Sequence, residues 1–225
     1  MNKRRTYLVL GLGIFGSTIS KELTKYNQDV IALDLDMTCV ERMSDLIAQA
    51  VCCDFTDIEQ LKAIGIDNVD VAVVATGSHL EESILAIMNL KQLGVPYVLA
   101  KAKNRRYGEI LKKIGADRVV MPEKETGLRM AKALLAWNIV ELIDLDDEYS
   151  IMEVKAPDTW VGKTLLDLRL RSSMGINVLG IRSGEDQHLT VTPKPTFKIS
   201  ASDKLLVVAD KSIFVNYEDL ERAAK

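Results

Sequence analysis

Three closely spaced glycines, Gly11, Gly13 and Gly16, have the types and spacing best suited in this chain to binding a phosphate. The first permits a tight turn, the second lets a phosphate approach the backbone, and the third lets a helix pack against the preceding strand. A helix that begins in this turn presents unpaired N–H groups and a partial positive charge to an anion. Asp34 follows 21 residues after Gly13, where a carboxylate can accept hydrogen bonds from ribose hydroxyls and disfavours the 2′-phosphate of NADP. The pattern therefore predicts a nucleotide site.

The segments around these residues have the periodicity needed to position them. An apolar run, 7–10, predicts a strand before the glycines, the amphipathic segment 14–26 predicts a helix after them, and 30–33 predicts a second strand that ends at Asp34. The alternative is a glycine turn kept only for packing the helix on the strand. That alternative explains the glycines but gives Asp34 no role.

Composition excludes several classes of protein. The chain has 225 residues, with 29 basic and 32 acidic side chains and a net charge of −3, which does not fit a basic nucleic-acid surface. No apolar run approaches the roughly 20 residues that a membrane-spanning helix needs. The charged segment 1–5 leads directly into a short strand and not into the apolar core of a signal peptide. We expect a cytoplasmic protein.

The cysteines and histidines do not form a metal-binding pattern. Cys39, Cys52 and Cys53 lack the CxxC spacing and are expected to be buried or half-buried free thiols, with a redox switch at the adjacent pair as the alternative. His79 and His188 are far apart in sequence, so a transition-metal site is not expected.

Strands and helices alternate six times over about 120 residues, which predicts a doubly wound parallel sheet with helices on both faces, a Rossmann-like α/β fold. Asp57 and Gly65 are the predicted first and last boundaries of one of these helices. Ligands of such sheets bind at the carboxyl ends of the strands. The candidate binding residues at these ends are Gly11, Gly13, Ile14, Phe15, Gly16, Asp34, Asp36, Asp54, Phe55, Thr56, Ala75, Thr76, Gly77 and Lys101.

Two of these groups have a plain structural alternative. Asp54 and Thr56 can bond the edge of a base beside Phe55, or they can serve as cap and turn residues. Lys101 can meet a phosphate or a neighbouring acid, or it can be a solvated strand end.

The pattern changes after Pro122, and we divide the chain into a nucleotide-binding domain, 1–122, a crossover or interface helix, 123–138, and a small α+β domain, 139–225. The crossover segment has apolar residues on one face, including Leu128, Leu134 and Trp137, and it is expected to contact a partner. The last domain is predicted to contain strands 139–145, 149–155, 176–182, 189–192 and 204–209 and helices 165–168 and 213–224. It contains no Ser-His-Asp set and no histidine–carboxylate pair that would indicate an enzyme.

The chain resembles the RCK-domain regulatory proteins of Trk- and Ktr-type potassium uptake systems, with the Ktr regulators as the nearest type. Besides the glycine turn and Asp34, the resemblance depends on the stretches IGADRVV at 114–120 and PEKETG at 122–127, on DLDDEYSI at 144–151, and on GKTL and GINV at 162–165 and 175–178.

The resemblance implies a non-enzymatic regulatory subunit. Its first domain would bind an adenine nucleotide such as ATP, ADP, AMP or NAD(H), and dimers would form a ring, commonly an octamer, docked on a membrane potassium transporter. Different nucleotides would favour different ring shapes and so gate ion flux. Glu123 matches a position associated with calcium or magnesium, which are hard cations that prefer oxygen ligands. The residues alone indicate a helix N-terminal acid there.

Two further expectations follow from the resemblance. Relatives that distinguish ATP usually have an arginine where this chain has Ile14, so we expect weaker discrimination of ATP from ADP. Some relatives bind cyclic di-AMP between second domains, and the residues near the matching stretch are Arg169, Ile176, Asn177 and Pro193. The alternative for these residues is an ordinary dimer core with a solvated arginine. An NAD(H)-dependent oxidoreductase or redox sensor is the alternative function.

Overall fold

The computed structural model describes residues 4–77, 79–135, 139–146, 148–184, 188–210 and 212–213. It divides into two compact units, Met1–Glu125 and Thr126–Lys225. Trp137 and the predicted helix 213–224, apart from its first residue, lie outside the described residues. Within the described part of the chain, no helix is both long and apolar enough to span a bilayer.

The first unit contains a six-stranded parallel sheet with the strand order β3-β2-β1-β4-β5-β6. This arrangement confirms the predicted doubly wound fold, and the order reverses between β1 and β4. The elements are β1 (Thr6–Leu10), α1 (Ile14–Lys25), β2 (Asp29–Asp34), α2 (Met37–Ser44), β3 (Gln49–Cys52), α3 (Ile58–Ile64), β4 (Val71–Val74), α4 (Leu80–Gln92), β5 (Tyr97–Lys101), α5 (Arg105–Ile114) and β6 (Arg118–Val120).

The central strand β1 is apolar and buried from Leu8 to Leu10, where both of its faces are covered. Leu8 and Leu10 are fully buried in the cluster that includes residues of α3, α4 and α5. Val9 points the other way, into the cluster that includes residues of α1 and α2. This alternation follows from the two-residue repeat of a strand.

Side-chain caps fix the helix boundaries near the carboxyl edge of the sheet. The Asp57 carboxylate accepts a hydrogen bond from Glu59 N at 2.9 Å at the start of α3, and Gly65 ends that helix in the left-handed region with φ 77°. Both boundaries were predicted from the sequence. Asn104 caps α5 in the same way, by accepting from Tyr107 N.

Asp117, in the IGADRVV stretch, has a structural role that the sequence did not reveal. Its carboxylate accepts hydrogen bonds from Val98 N and from Lys91 Nζ, both at 2.7 Å, while its own N–H donates to Val98 O. The hydrogen bond from Lys91 and that from Val98 N hold the pKa of this carboxyl below its usual value. The acid therefore attaches the edge strand β6 to β5 and to the end of α4.

The second unit contains a five-stranded antiparallel sheet with the strand order β10-β9-β11-β8-β7. Its inner face packs on Trp160, Leu170 and Ile199. The unit boundary falls inside α6 (Pro122–Leu135), and the following elements are β7 (Ile139–Asp144), β8 (Tyr149–Lys155), α7 (Leu165–Leu168), α8 (Leu170–Met174), β9 (Asn177–Ser183), β10 (His188–Val191) and β11 (Lys204–Asp210).

The short helix α8 was not predicted. Arg169 separates it from α7 and adopts the left-handed conformation, with φ 47°. A left-handed arginine is uncommon, and no glycine or proline marks this break in the sequence. Ile176 lies just before β9, and not inside it as predicted.

Candidate nucleotide site and second-unit groove

The carboxyl ends of β1 and β4 meet at the reversal of strand order and form the predicted crevice. Gly11 N donates to Leu33 O, and Ala75 N donates to Leu10 O, both at 2.8 Å. These bonds bring the glycine turn, the end of β2 and the loop after β4 to one edge of the sheet. The crevice is therefore built by neighbouring strands from distant parts of the sequence.

The three glycines have different structural reasons. Gly11 adopts φ 96°, and a Cβ on Gly16 would lie 1.9 Å from Gly11 O, so packing alone requires glycine at both positions. Gly13 has φ −63°, which any residue can adopt, and a Cβ there would meet nothing within 4 Å. The packing alternative therefore explains Gly11 and Gly16 but leaves Gly13 unexplained, whereas close approach of a ligand explains it.

The amino end of α1 is suited to an anion. Its N-cap residue is Gly13, no side chain among the described residues caps its first N–H groups, and its first turn contains no acid. Those N–H groups and the helix dipole are thus available to a phosphate.

Asp34 holds the crevice together as well as facing it. Its Oδ2 accepts a hydrogen bond from Leu12 N at 2.5 Å, and its Oδ1 accepts from Asp36 N at 2.9 Å. Each carboxylate oxygen has a second lone pair that can accept from a ribose hydroxyl. Asp36 caps α2 by accepting from Thr38 N at 2.9 Å, and this backbone hydrogen bond lowers the pKa of its carboxyl.

The segment after β3 matches its turn alternative. Asp54 Oδ1 accepts from Thr56 N at 2.9 Å and from Thr56 Oγ1 at 2.6 Å. Phe55 is only 4% exposed and belongs to the core, so little of its ring is open to a ligand in the structure. Recognition of a base by Asp54 and Thr56 stays a prediction.

The loop after β4 contacts its neighbours closely. Thr76 Oγ1 lies 3.4 Å from Glu82 Oε2, and Thr76 O accepts from Ser83 Oγ. A Cβ on Gly77 would lie 3.2–3.3 Å from three side-chain carbons of Lys101. The absence of a side chain on Gly77 therefore lets the aliphatic part of Lys101 lie across the loop.

Lys101 pairs with an acid. Its Nζ lies 2.6 Å from Glu123 Oε1 and 5.8 Å from the centre of the Phe15 ring, and its side chain is 18% exposed. The hydrogen bond from Lys101 lowers the pKa of the Glu123 carboxyl, which is 69% exposed. Within the described residues, no cluster of three or more histidines, cysteines or acids surrounds Glu123. A cation bound there would need further ligands from phosphates or from another chain.

Three apolar side chains at the crevice are unusually exposed. Ile14 is 91% exposed at the start of α1, and Leu35 and Met37 are 56% and 55% exposed after β2. Apolar side chains in these positions can flank a base or a ribose. Leu35 and Met37 were not predicted as site residues, although their position directly after β2, at the start of α2, was a usable signal.

The second unit has an open groove of about 530 Å³. It brings together all four residues selected from the sequence, Arg169, Ile176, Asn177 and Pro193. Ile176 is only 1% exposed and belongs to the floor, whereas Arg169 and Asn177 are exposed. The other lining residues are Leu165, Leu166, Leu170, Arg171, Ser172, Val178 and Pro195.

The thiols are free. Cys53 is buried, as expected, and burial raises the pKa of its thiol. Cys39 is half-buried and Cys52 is exposed, so the expectation of burial is wrong for Cys52. Cys52 is the last residue of β3, which lies at the edge of the sheet and pairs only with β2 among the described strands.

Family models match both halves of the chain: the TrkA-N domain model matches residues 7–122, and the TrkA-C domain model matches 149–216. The chain is 35% identical over 215 residues to the Ktr system potassium uptake protein C of Bacillus subtilis (strain 168), with 96% of each chain covered. It is 31% identical over 212 residues to the Ktr system potassium uptake protein A of Vibrio alginolyticus, with 94% and 96% covered.

Solved structures show the same fold at low identity. The GsuK RCK domain matches with a TM-score of 0.63 and 19% identity, over 97% of this chain and 48% of that chain. The GsuK channel bound to NAD matches with a TM-score of 0.61 and 18% identity, over 95% and 38%. The present chain thus spans about half the length of the GsuK RCK chain and a smaller share of the NAD-bound channel chain.

Proposed function

This chain belongs to the family of proteins built from a TrkA-N and a TrkA-C domain, which includes the Ktr system potassium uptake proteins, and we propose that it is a nucleotide-binding regulatory subunit. It gates a Trk- or Ktr-type potassium transporter through ligand-dependent change in the shape of an oligomeric ring. The partners are the membrane transporter and further copies of this chain, assembled as dimers into an octamer. The proposed location of the protein is the cytoplasm, at the inner face of the membrane that holds the transporter.

One observation supports the nucleotide site above the others. Gly13 lacks a side chain although neither its backbone angles nor its neighbours require this, and it lies at the uncapped amino end of α1. A phosphate group bound to those N–H groups supplies the missing reason. Asp34 then receives the ribose hydroxyls, and Ile14 offers an apolar contact.

Regulation requires that the ligand bind two ring shapes with different affinities. A coupling free energy of about 1–3 kcal/mol is typical and gives a useful response. Such regulation does not require any covalent bond to be made or broken. The alternative is an NAD(H)-dependent oxidoreductase or redox sensor. An oxidoreductase needs an acidic or basic side chain beside the nicotinamide, and the sequence offers no evident histidine–carboxylate pair for that role.

Glu123 is the proposed divalent-cation ligand, for calcium or magnesium. It supplies a hard carboxylate oxygen, and the phosphates of a bound nucleotide supply others. The cation would provide charge neutralisation between phosphate and carboxylate. In the structure, Glu123 Oε1 is paired with Lys101 Nζ. A cation can therefore bind this oxygen only after the contact with Lys101 is broken.

Calorimetric titration of the purified chain with ATP, ADP, AMP and NADH tests the proposed function. We expect binding of at least one of them, with ATP favoured over ADP by less than about tenfold, because Ile14 cannot pair with a third phosphate. Guanine nucleotides are the control ligands. Failure of all four adenine ligands at millimolar concentration contradicts the nucleotide site, and a hundredfold preference for ATP contradicts the role given to Ile14.

We also propose that the groove of the second unit binds a second ligand, cyclic di-AMP. Arg169 can pair with a phosphate, and Pro193 can flank an adenine over the floor to which the buried Ile176 belongs. The alternative, a groove that only contacts another copy, uses the same residues. The volume of about 530 Å³ is within the range of ligand-binding pockets.

An Arg169→Ala variant separates these two interpretations of the groove. We expect cyclic di-AMP affinity to fall by about tenfold or more, because a charge-assisted phosphate contact is lost. Nucleotide binding in the first unit is expected to be unchanged, and cyclic di-GMP serves as the control ligand. Binding of cyclic di-AMP that does not depend on Arg169, or absence of binding to the unaltered chain, would refute this assignment.

A further inference from the structure

Lys101 is the residue whose contacts the proposed function does not fully explain. It ends β5 at the crevice, and its aliphatic part lies against Gly77 while its ammonium group lies near the Phe15 ring. Phe15 belongs to the first turn of α1, the turn whose N–H groups are suited to a phosphate, so the ammonium lies 5.8 Å from a ring that this turn carries. Yet this cation is already paired, at 2.6 Å, with Glu123.

The side chains of Lys101 and Glu123 differ strongly in solvent exposure and in the contacts that hold them. Lys101 is 18% exposed and held by contacts on two sides, whereas Glu123 is 69% exposed. Lys101 ends β5 at the edge of the sheet where the phosphate is proposed to bind, and a phosphate is a strong partner for a lysine cation. One ammonium cannot keep its closest contact with both anions, so the exposed carboxylate is the partner that yields.

We propose that Lys101 is a shared cation that exchanges Glu123 for a nucleotide phosphate, so that nucleotide binding frees the first turn of α6. This inference depends on the proposed nucleotide site and adds to it a positioning pair. Lys101 contacts the phosphate, and Glu123 acts on ligand affinity through Lys101.

The exchange has consequences for Glu123 and for the helix that contains it. Glu123 lowers nucleotide affinity, because its bond to Lys101 has to be broken first. Glu123 becomes available to other partners only after the exchange. The pair lies where α6 begins, and α6 (Pro122–Leu135) continues from the first unit of the chain into the second. Occupancy of the crevice therefore changes a contact at the start of that helix.

A double-mutant cycle with the full chain tests the exchange, with ADP as the ligand and EDTA present to remove divalent cations. We expect Glu123→Gln to bind ADP about tenfold more tightly and Lys101→Met to bind it about tenfold more weakly. Methionine retains the apolar contact with Gly77 and Phe15. In the Lys101→Met background, Glu123→Gln should no longer improve binding, because the cation that it releases is absent.

The combined variant distinguishes exchange from simple repulsion between Glu123 and the phosphates. Repulsion predicts the same gain from Glu123→Gln with or without Lys101, and that result overturns the proposal. Glu125→Gln is the matched control, since Glu125 has the same charge two residues along but accepts from Met121 N. It should change ADP affinity by less than about twofold.

The outcomes separate the two levels of the proposal. ADP binding to the unaltered chain with an additive cycle overturns the exchange and leaves the proposed function standing. Failure of the unaltered chain to bind any adenine nucleotide overturns both. Thermal unfolding of each variant, within a few degrees of the unaltered chain, shows that the affinities refer to folded protein.

Discussion

We expect a Gly13→Ala variant to fold normally and to bind adenine nucleotides at least about tenfold more weakly. Gly13 has φ −63° and ψ −172°, which alanine adopts without strain, and a Cβ there meets no atom within 4 Å. The methyl group would instead occupy the space that a phosphate needs above the amino end of α1. Calorimetry with ADP measures the loss, and thermal unfolding checks the fold.

Gly16→Ala is the contrasting variant, because it fills space that the protein itself occupies. Its Cβ would lie 1.9 Å from Gly11 O, so α1 has to move away from β1, and we expect a loss of about 3 kcal/mol or more in the free energy of unfolding. Equal destabilisation by both variants, or full ADP affinity in Gly13→Ala, would contradict the ligand-based explanation of Gly13.

The first half of the fold was predictable because local and distant requirements agree there. The central strands β1 and β4 are apolar enough to be buried on both faces, and short connections leave little choice of topology. Once the strands are parallel, their carboxyl ends must gather Gly11, Asp34, Gly77 and Lys101 at one edge. Sequence periodicity alone contains this information.

The parts that were missed depend on contacts between residues far apart in sequence. Nothing in the sequence near Lys101 shows that it pairs with Glu123, 22 residues further on, although a contact with some acid was one expectation. Phe55 has the same apolar character whether it faces a ligand or the core, and its burial depends on packing against residues of α3 and α4 that the local sequence does not show. Arg169 adopts its left-handed conformation without any of the residues that usually mark one.

Helix α6 carries exposed apolar side chains that contact with another copy would cover. Leu128 is 56% exposed and Leu134 is 80% exposed in the isolated chain, and Met130 is 48% exposed. With 3.6 residues per turn, Met130 and Leu134 lie on the same side of the helix and Leu128 lies about a third of a turn from Leu134. We proposed segment 123–138 as a crossover and interface helix from its sequence pattern, and these exposures support that proposal.

Replacing Leu128 and Leu134 together with Asp is therefore expected to abolish assembly while sparing nucleotide binding. Two carboxylates buried in an interface without partners cost several kcal/mol, about enough to raise a dissociation constant by a hundredfold or more. Light scattering after gel filtration should show the mass fall to 25.0 kDa, the mass of one chain. Arg129→Asp, which places an acid on another side of α6, is the control and should leave the assembly intact. A double variant that still forms the full assembly would show that α6 does not hold the copies together, and the coupling helix would have to be sought elsewhere in the chain.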